Sequence, residues 1–202
     1  MISVRRRAQL GLVAAAFVLT VAVATLLLAP RYSKPVAVAD VGTVAPDFQL
    51  EDVDGRTFTL SEHRGQAIVL FFGSVNSART ADYNPRVSRL AGMYTNDDRV
   101  KFVALDMTFR SQPIDREVLR SDPIVSGRGF PTLIDDRGKT AGRYSATETP
   151  TFVVLDAHGI VRYRGPFDNS VDLAFATQPF CAEALGNILG APTSAVAGFI
   201  RQ

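Results

Sequence analysis

A single cysteine, Cys181, stands in this chain of 202 residues. One cysteine excludes an intrachain disulfide, a CxxC redox pair and a cysteine-based zinc site. Histidine is almost as scarce, with only His63 and His158. Charge of one sign is also in short supply: 22 basic against 20 acidic residues leave a formal net charge of +2. Three of those cations are the adjacent Arg5, Arg6 and Arg7, and the rest form no stripe, which excludes an electrostatic nucleic-acid binder. Low-complexity segments are missing, so disorder does not describe the whole chain. What is present is ordinary for a globular protein: 47% hydrophobic residues, 21% charged, 13 Phe and 5 Tyr. That is enough for one well-filled domain and a further segment.

The further segment lies at the N-terminus. After Arg5–Arg7, Leu10–Ala29 runs 20 residues without a charge. At about 1.5 Å per residue it reaches ~30 Å, one hydrocarbon core. Pro30, Arg31 and Lys34 close it. Residues 1–9 are expected to stay cytoplasmic and residues 10–29 to form one transmembrane helix that anchors the chain in the plasma membrane. Residues 30–44 read as a tether and place the remainder on the periplasmic or other extracytoplasmic side. The competing reading is a signal peptide cut after Ala37-Val38-Ala39, which would release the domain to the periplasm. The apolar run is long for a signal, and the small-residue site lies beyond two cations, so the anchor is favoured. No cysteine near the segment's end offers a lipoprotein site.

The compact domain is expected over residues 45–190, with 191–202 as a tail. Gln49–Val53 and Arg56–Leu60 flank Asp54-Gly55 as a hairpin. Ala67–Phe72 and Val100–Leu105 are continuous apolar runs, the pattern of strands buried on both faces. Between them Tyr83, Val87, Leu90, Ala91 and Tyr94 fall at helical spacing, with Pro85 expected to interrupt and kink the helix. Asp115–Arg120 reads as a short helix and Phe130–Ile134 as a third strand. Thr151–Leu155 and Ile160–Tyr163 flank a second turn, and Cys181, Leu185, Ile188 and Leu189 share one face of a last helix. Two βα crossovers followed by an antiparallel hairpin imply an α/β fold, a mixed central sheet with helices on both faces.

Three stretches carry a resemblance. VGTVAPDFQLEDVDGRTFTL (Val41–Leu60), IVLFFGSVNSARTADYNP (Ile68–Pro85) and ATETPTFVVLDAHGIVRYRGP (Ala146–Pro166) are similar to the redoxin branch of the thioredoxin superfamily. That branch includes the AhpC/TSA peroxiredoxins and the membrane-tethered TlpA/ResA-like proteins. The resemblance spans Val41–Leu189. It implies a thioredoxin-like fold, a cis peptide bond at Thr149-Pro150, and a thiol oxidoreductase or antioxidant activity. It also implies a nucleophilic cysteine at the start of the helix after the first central strand, where free N–H groups and the helix dipole favour a thiolate.

Counting back from Tyr83 and Pro85, the family's cysteine falls on Ser77; counting forward from Gly73 it falls on Asn76. Neither is cysteine. A serine hydroxyl ionises far above a thiol, and a helix terminus shifts it by too little to support peroxide reduction or disulfide exchange. A serine nucleophile would need an adjacent base, and both histidines fall in turns that read as solvated. Asn76 and Ser77 are instead good helix N-caps. Cys181 shares a face with Leu185, Ile188 and Leu189 and reads as a small core hydrophobe, its redox use being the lesser alternative. Arg79 and Thr80 in the first turn, with Thr149 and Pro150, are candidate binding residues. The implied partner is an exported protein or peptide lying in the groove beside the proline. No cofactor and no metal are implied. Asp47, Asp106 and Asp135 lie near strand ends without acid–base pairing. Three functions compete: a non-catalytic binding module, which is preferred, a thiol oxidoreductase working through Cys181 or a partner's thiol, and an envelope assembly protein.

Overall fold

A computed structural model describes residues 38–107 and 115–190. The anchor read over residues 10–29, its basic flank and the C-terminal tail lie outside the described residues. Among the described residues no helix is long and apolar enough to cross a membrane.

Strands β1 (Gln49–Glu51) and β2 (Thr57–Thr59) form a two-stranded antiparallel sheet. Asp52 shapes the intervening turn: its Oδ1 accepts from Asp54 N at 2.9 Å and from Arg56 N at 2.8 Å. The main sheet contains β3 (Ala67–Gly73), β4 (Val100–Asp106), β5 (Thr132–Ile134), β6 (Thr151–Leu155) and β7 (Val161–Gly165). Its spatial order is β5-β4-β3-β6-β7. β3 runs parallel to β4 and antiparallel to β6, β4 runs parallel to β5, and β6 and β7 are antiparallel. This is the mixed sheet expected from two crossovers and a closing hairpin. All seven residues of β3 are buried, as a central strand with both faces covered requires.

The alternation within β3 sorts two cores. Ile68, Leu70 and Phe72 pack with Phe48, Phe58, Leu60 and Tyr144 on one face. Ala67, Val69 and Phe71 pack on the other against α1 (Ala78–Met93) and α5 (Phe180–Leu189), through Val87, Leu90, Cys181 and Leu185. The long helices therefore share one face. The opposite face is covered mainly by the β1–β2 hairpin and the short α4 (Lys139–Arg143). Two more short helices, α2 (Arg116–Ser121) and α3 (Pro123–Ser126), follow Asp115 and Asp122, whose carboxylates cap them.

One expectation changes. α1 continues through Pro85 rather than being interrupted there. From Ala39 onward the backbone is hydrogen-bonded to the domain, although residues 40–44 are exposed. Ala39 is fully buried and its N–H donates to Arg143 O at 2.8 Å. Further along, Val44 bridges Ile160 antiparallel to the edge of β7.

Candidate functional site

The site is built where β3 stops. Gly73 ends the strand, and a Cβ there would sit 3.0 Å from Thr80 Cγ2 and 3.2 Å from Phe71 Cε2. Glycine therefore lets the first turn of α1 close over the strand end. The loop that follows is fixed by its own backbone. Ser74 N donates to Thr80 Oγ1 at 3.2 Å, Val75 N to Asp106 Oδ2 at 2.9 Å, and Ser77 N to Ser74 O at 2.9 Å. Asp106 at the end of β4 is 1% exposed and holds this loop. Asp47 and Asp135 likewise accept backbone N–H groups, Asp135 at the start of α4.

Ser77 caps α1. Its backbone is extended, and its Oγ accepts from Thr80 N at 3.3 Å. Asn76 lies one residue outside the helix, its N–H on Ser74 Oγ at 3.3 Å. Thr149-Pro150 is a cis peptide bond, as the resemblance implied. It brings Thr149 to the helix start: Thr149 Oγ1 donates to Ser77 Oγ at 3.1 Å, across 72 residues of sequence. Beside this pair a groove of about 330 Å³ is lined by Arg79, Tyr83, Thr149, Pro150, Arg164 and Phe167, among others. Arg79 is exposed at its rim, whereas Thr80 is fully buried and supports the loop instead of facing the groove.

Cys181 is elsewhere. It lies in α5 with no exposed surface, its N–H on Phe167 O at 3.0 Å, within the core that also holds Tyr83, Val87 and Leu90. Burial alone pushes its thiol pKa up, so the thiolate that disulfide exchange requires is disfavoured. Of the histidines, His158 is exposed, but His63 is partly covered. It stacks on Phe58 at 4.5 Å and its Nδ1 contacts Gln66 Oε1 at 3.1 Å. Desolvation, followed by the Lys101 charge, lowers its pKa below the ordinary 6.5. Among the described residues no cluster of three or more His, Cys, Asp or Glu could hold a metal.

Two buried polar clusters carry no signal in sequence. Arg128, 3% exposed, donates through Nε to Asn84 Oδ1 at 2.8 Å and through Nη1 to Thr132 Oγ1 at 3.0 Å. Its guanidinium lies 5.0 Å from the Phe71 ring centroid. Burial pulls its pKa down to about 10, and the charges of Asp106 and Asp122 oppose that fall, so it remains a cation at neutral pH. Arg86 pairs with Asp168 at 2.8 Å, with both side chains nearly buried. It also donates to Ser170 O at 2.8 Å and to Val171 O. Tyr83 OH donates to the same carboxylate at 3.3 Å. The partners of Arg86 lie 82 to 85 residues away, a separation that carries no local signal.

The geometry is that of a thioredoxin-like helix start facing a cis-proline, with the Ser77 hydroxyl between them. Solved structures share the fold. An uncharacterised conserved protein from Geobacillus kaustophilus superposes with a TM-score of 0.62 at 26% identity, over 76% of this chain and 84% of that one. A hypothetical protein from Sinorhizobium meliloti gives 0.56 at 26% identity, over 79% and 85%. Among curated proteins, the thiol-disulfide oxidoreductase ResA of Geobacillus thermodenitrificans is 27% identical over 131 residues, 65% of this chain and 71% of the relative. Residues 41–164 match the AhpC/TSA family, and the chain belongs to that family.

Proposed function

We propose that this chain is a membrane-held member of its family whose exported domain binds an extended polypeptide segment in the groove beside Thr149-Pro150, with no thiol chemistry of its own. The observation that carries this reading is the Ser77 hydroxyl, engaged with Thr80 N and Thr149 Oγ1 at the helix start. In this fold the position is suited to a thiolate, and a hydroxyl there keeps the cap and the groove but not the redox couple. The peptide edge beside the cis-proline still offers main-chain hydrogen bonds to an extended ligand. Leu10–Ala29 would be the single-pass anchor, with Arg5–Arg7 on the cytoplasmic side and the domain in the periplasm or its equivalent.

A second reading is favoured by the likeness to the ResA oxidoreductases. In it the domain carries out thiol–disulfide exchange through its own Cys181. Disulfide reductase and peroxidase assays on the full-length chain, its Cys181→Ser variant and its Ser77→Cys variant separate the two. An inactive wild type with activity appearing in Ser77→Cys supports the binding module. Wild-type activity that disappears in Cys181→Ser overturns it and returns the protein to the enzymes.

A further inference from the structure

The outer side of α5 is less completely covered than its inner side. Cys181, Ala182 and Leu185 face the sheet and are buried. Phe180, Ala184 and Ile188 recur every four residues on another side and are only partly covered. They floor an open hollow of about 640 Å³ between α5 and β7, together with Tyr163, Glu183 and Asn187. From Phe180 to Ile188 the helix rises about 12 Å. A helix with a single charge, Glu183, and apolar groups on two sides has the composition of an element covered on both.

The charges around the hollow are Asp156, Arg162 and Glu183. Arg162 donates through Nε to Asp156 Oδ2 at 2.7 Å, and the other oxygen of Asp156 accepts from His158 N and Ile160 N. That pair is satisfied within the domain. Glu183 has no side-chain partner among the described residues. The surface thus asks for apolar side chains and one cation.

The chain itself supplies both at the adjoining position. α5 closes on Gly190, whose φ of 67° is left-handed and whose N–H donates to Gly186 O. Such a cap turns the chain off the helix axis, and Pro192 keeps the helix from resuming. Ile188, in the floor of the hollow, lies two residues before this turn, so the chain departs beside the hollow. The sequence that follows carries Val196, Phe199 and Ile200 at three- and four-residue spacing, and Arg201 is the only charge over residues 191–202. Residues 191–200 reach about 33 Å when extended, well beyond the 12 Å of the helix face. A segment tethered this close is held at millimolar effective concentration, so modest contacts suffice to seat it.

We infer that residues 195–201 fold back over the outer side of α5 and occupy this hollow. Val196, Phe199 and Ile200 meet Phe180, Ala184 and Ile188, and Arg201 meets Glu183. The surface is a latch for the helix that buries Cys181, separate from the groove beside Thr149-Pro150.

The test is disulfide trapping in the full-length chain in detergent, with Asn187→Cys and Ala197→Cys in a Cys181→Ala background and copper phenanthroline as oxidant. An intramolecular bond is expected whose rate of formation falls about tenfold on adding Phe199→Ser and Ile200→Ser, which leave the tether unchanged. Glu183→Gln and Arg201→Gln should each slow it about threefold, and together no more than either alone. A rate indifferent to Phe199→Ser and Ile200→Ser overturns the inference, because chain tethering alone then brings the cysteines together. Disulfide-linked dimers in place of the intramolecular bond assign the hollow to the segment of a second copy and also overturn it. Hydrogen exchange on the chain with its native cysteine gives a reading free of the trapping substitutions. Phe199→Ser with Ile200→Ser should speed exchange in α5 about tenfold and leave β3 unchanged. Equal exchange in α5 overturns the inference.

Discussion

Ser77 and Cys181 divide between them what a redox site needs in one place. At Ser77 there are a helix N-terminus, a cis-proline neighbour and an open groove, but no sulfur. At Cys181 there is sulfur, but no exposed surface, and its neighbours are apolar. The same helix, α1, serves both, since its first turn frames the groove and its inner face covers the thiol. Reactivity therefore follows from placement on the fold and not from residue type alone.

The comparison breaks most directly by moving the thiol. In Ser77→Cys, alkylation by iodoacetamide at neutral pH is expected to run roughly a thousandfold faster than at Cys181 of the wild type, because one thiol is accessible at a helix start and the other waits for unfolding. Equal rates would mean that the helix start provides no activation. Next in size is Arg86→Met, which leaves Asp168 buried without its cation. A loss of about 3–5 kcal/mol in urea unfolding is expected. A loss below about 1 kcal/mol would mean that the segment from Asp168 to Gln178 does not depend on this pair. Trimming the buried thiol in Cys181→Ala should cost only about 1 kcal/mol, as a small core truncation. The groove reading also requires it to leave peptide affinity unchanged.

The smallest effect lies far from both residues. His63 binds its proton less readily in the folded domain than in the unfolded chain. Its contribution is therefore fully present above the ordinary histidine pKa of 6.5 and falls as pH drops through and below that value. His63→Gln should flatten this part of the stability–pH curve, and an unchanged slope would exclude His63 as its source.

Much of the fold was legible because its signals are local. The apolar runs of β3 and β4, the turn residues Asp54-Gly55 and Asp156–Gly159, and the helical spacing of Tyr83, Val87 and Leu90 each report on their own neighbourhood. The short helices α3 and α4 were not legible. Pro123–Ser126 and Lys139–Arg143 are too short for a period, and α4 is entered through Arg137 and Gly138 at φ of 59° and 62°, a left-handed turn that no single residue announces. At the site, a helix cap at Asn76 or Ser77 could be read from residue type, and the cis bond at Thr149-Pro150 from resemblance. Arg86, Asp168, Asn84 and Arg128 could not. In sequence they are ordinary polar residues, and only the packing of distant elements makes them buried partners.

The way the chain joins the domain has a mechanical consequence. Ala39 donates to Arg143 O and accepts from Arg164, while Gly42 and Thr43 exchange backbone hydrogen bonds with Val161 at the edge of β7. A pull applied at residue 38 is thus resisted first by Arg143 and Arg164, and Arg164 is itself part of the groove wall. The load path from the start of the domain runs through Arg164 on the groove wall, so in the proposed reading tension on the chain and a bound segment act on one shared side chain.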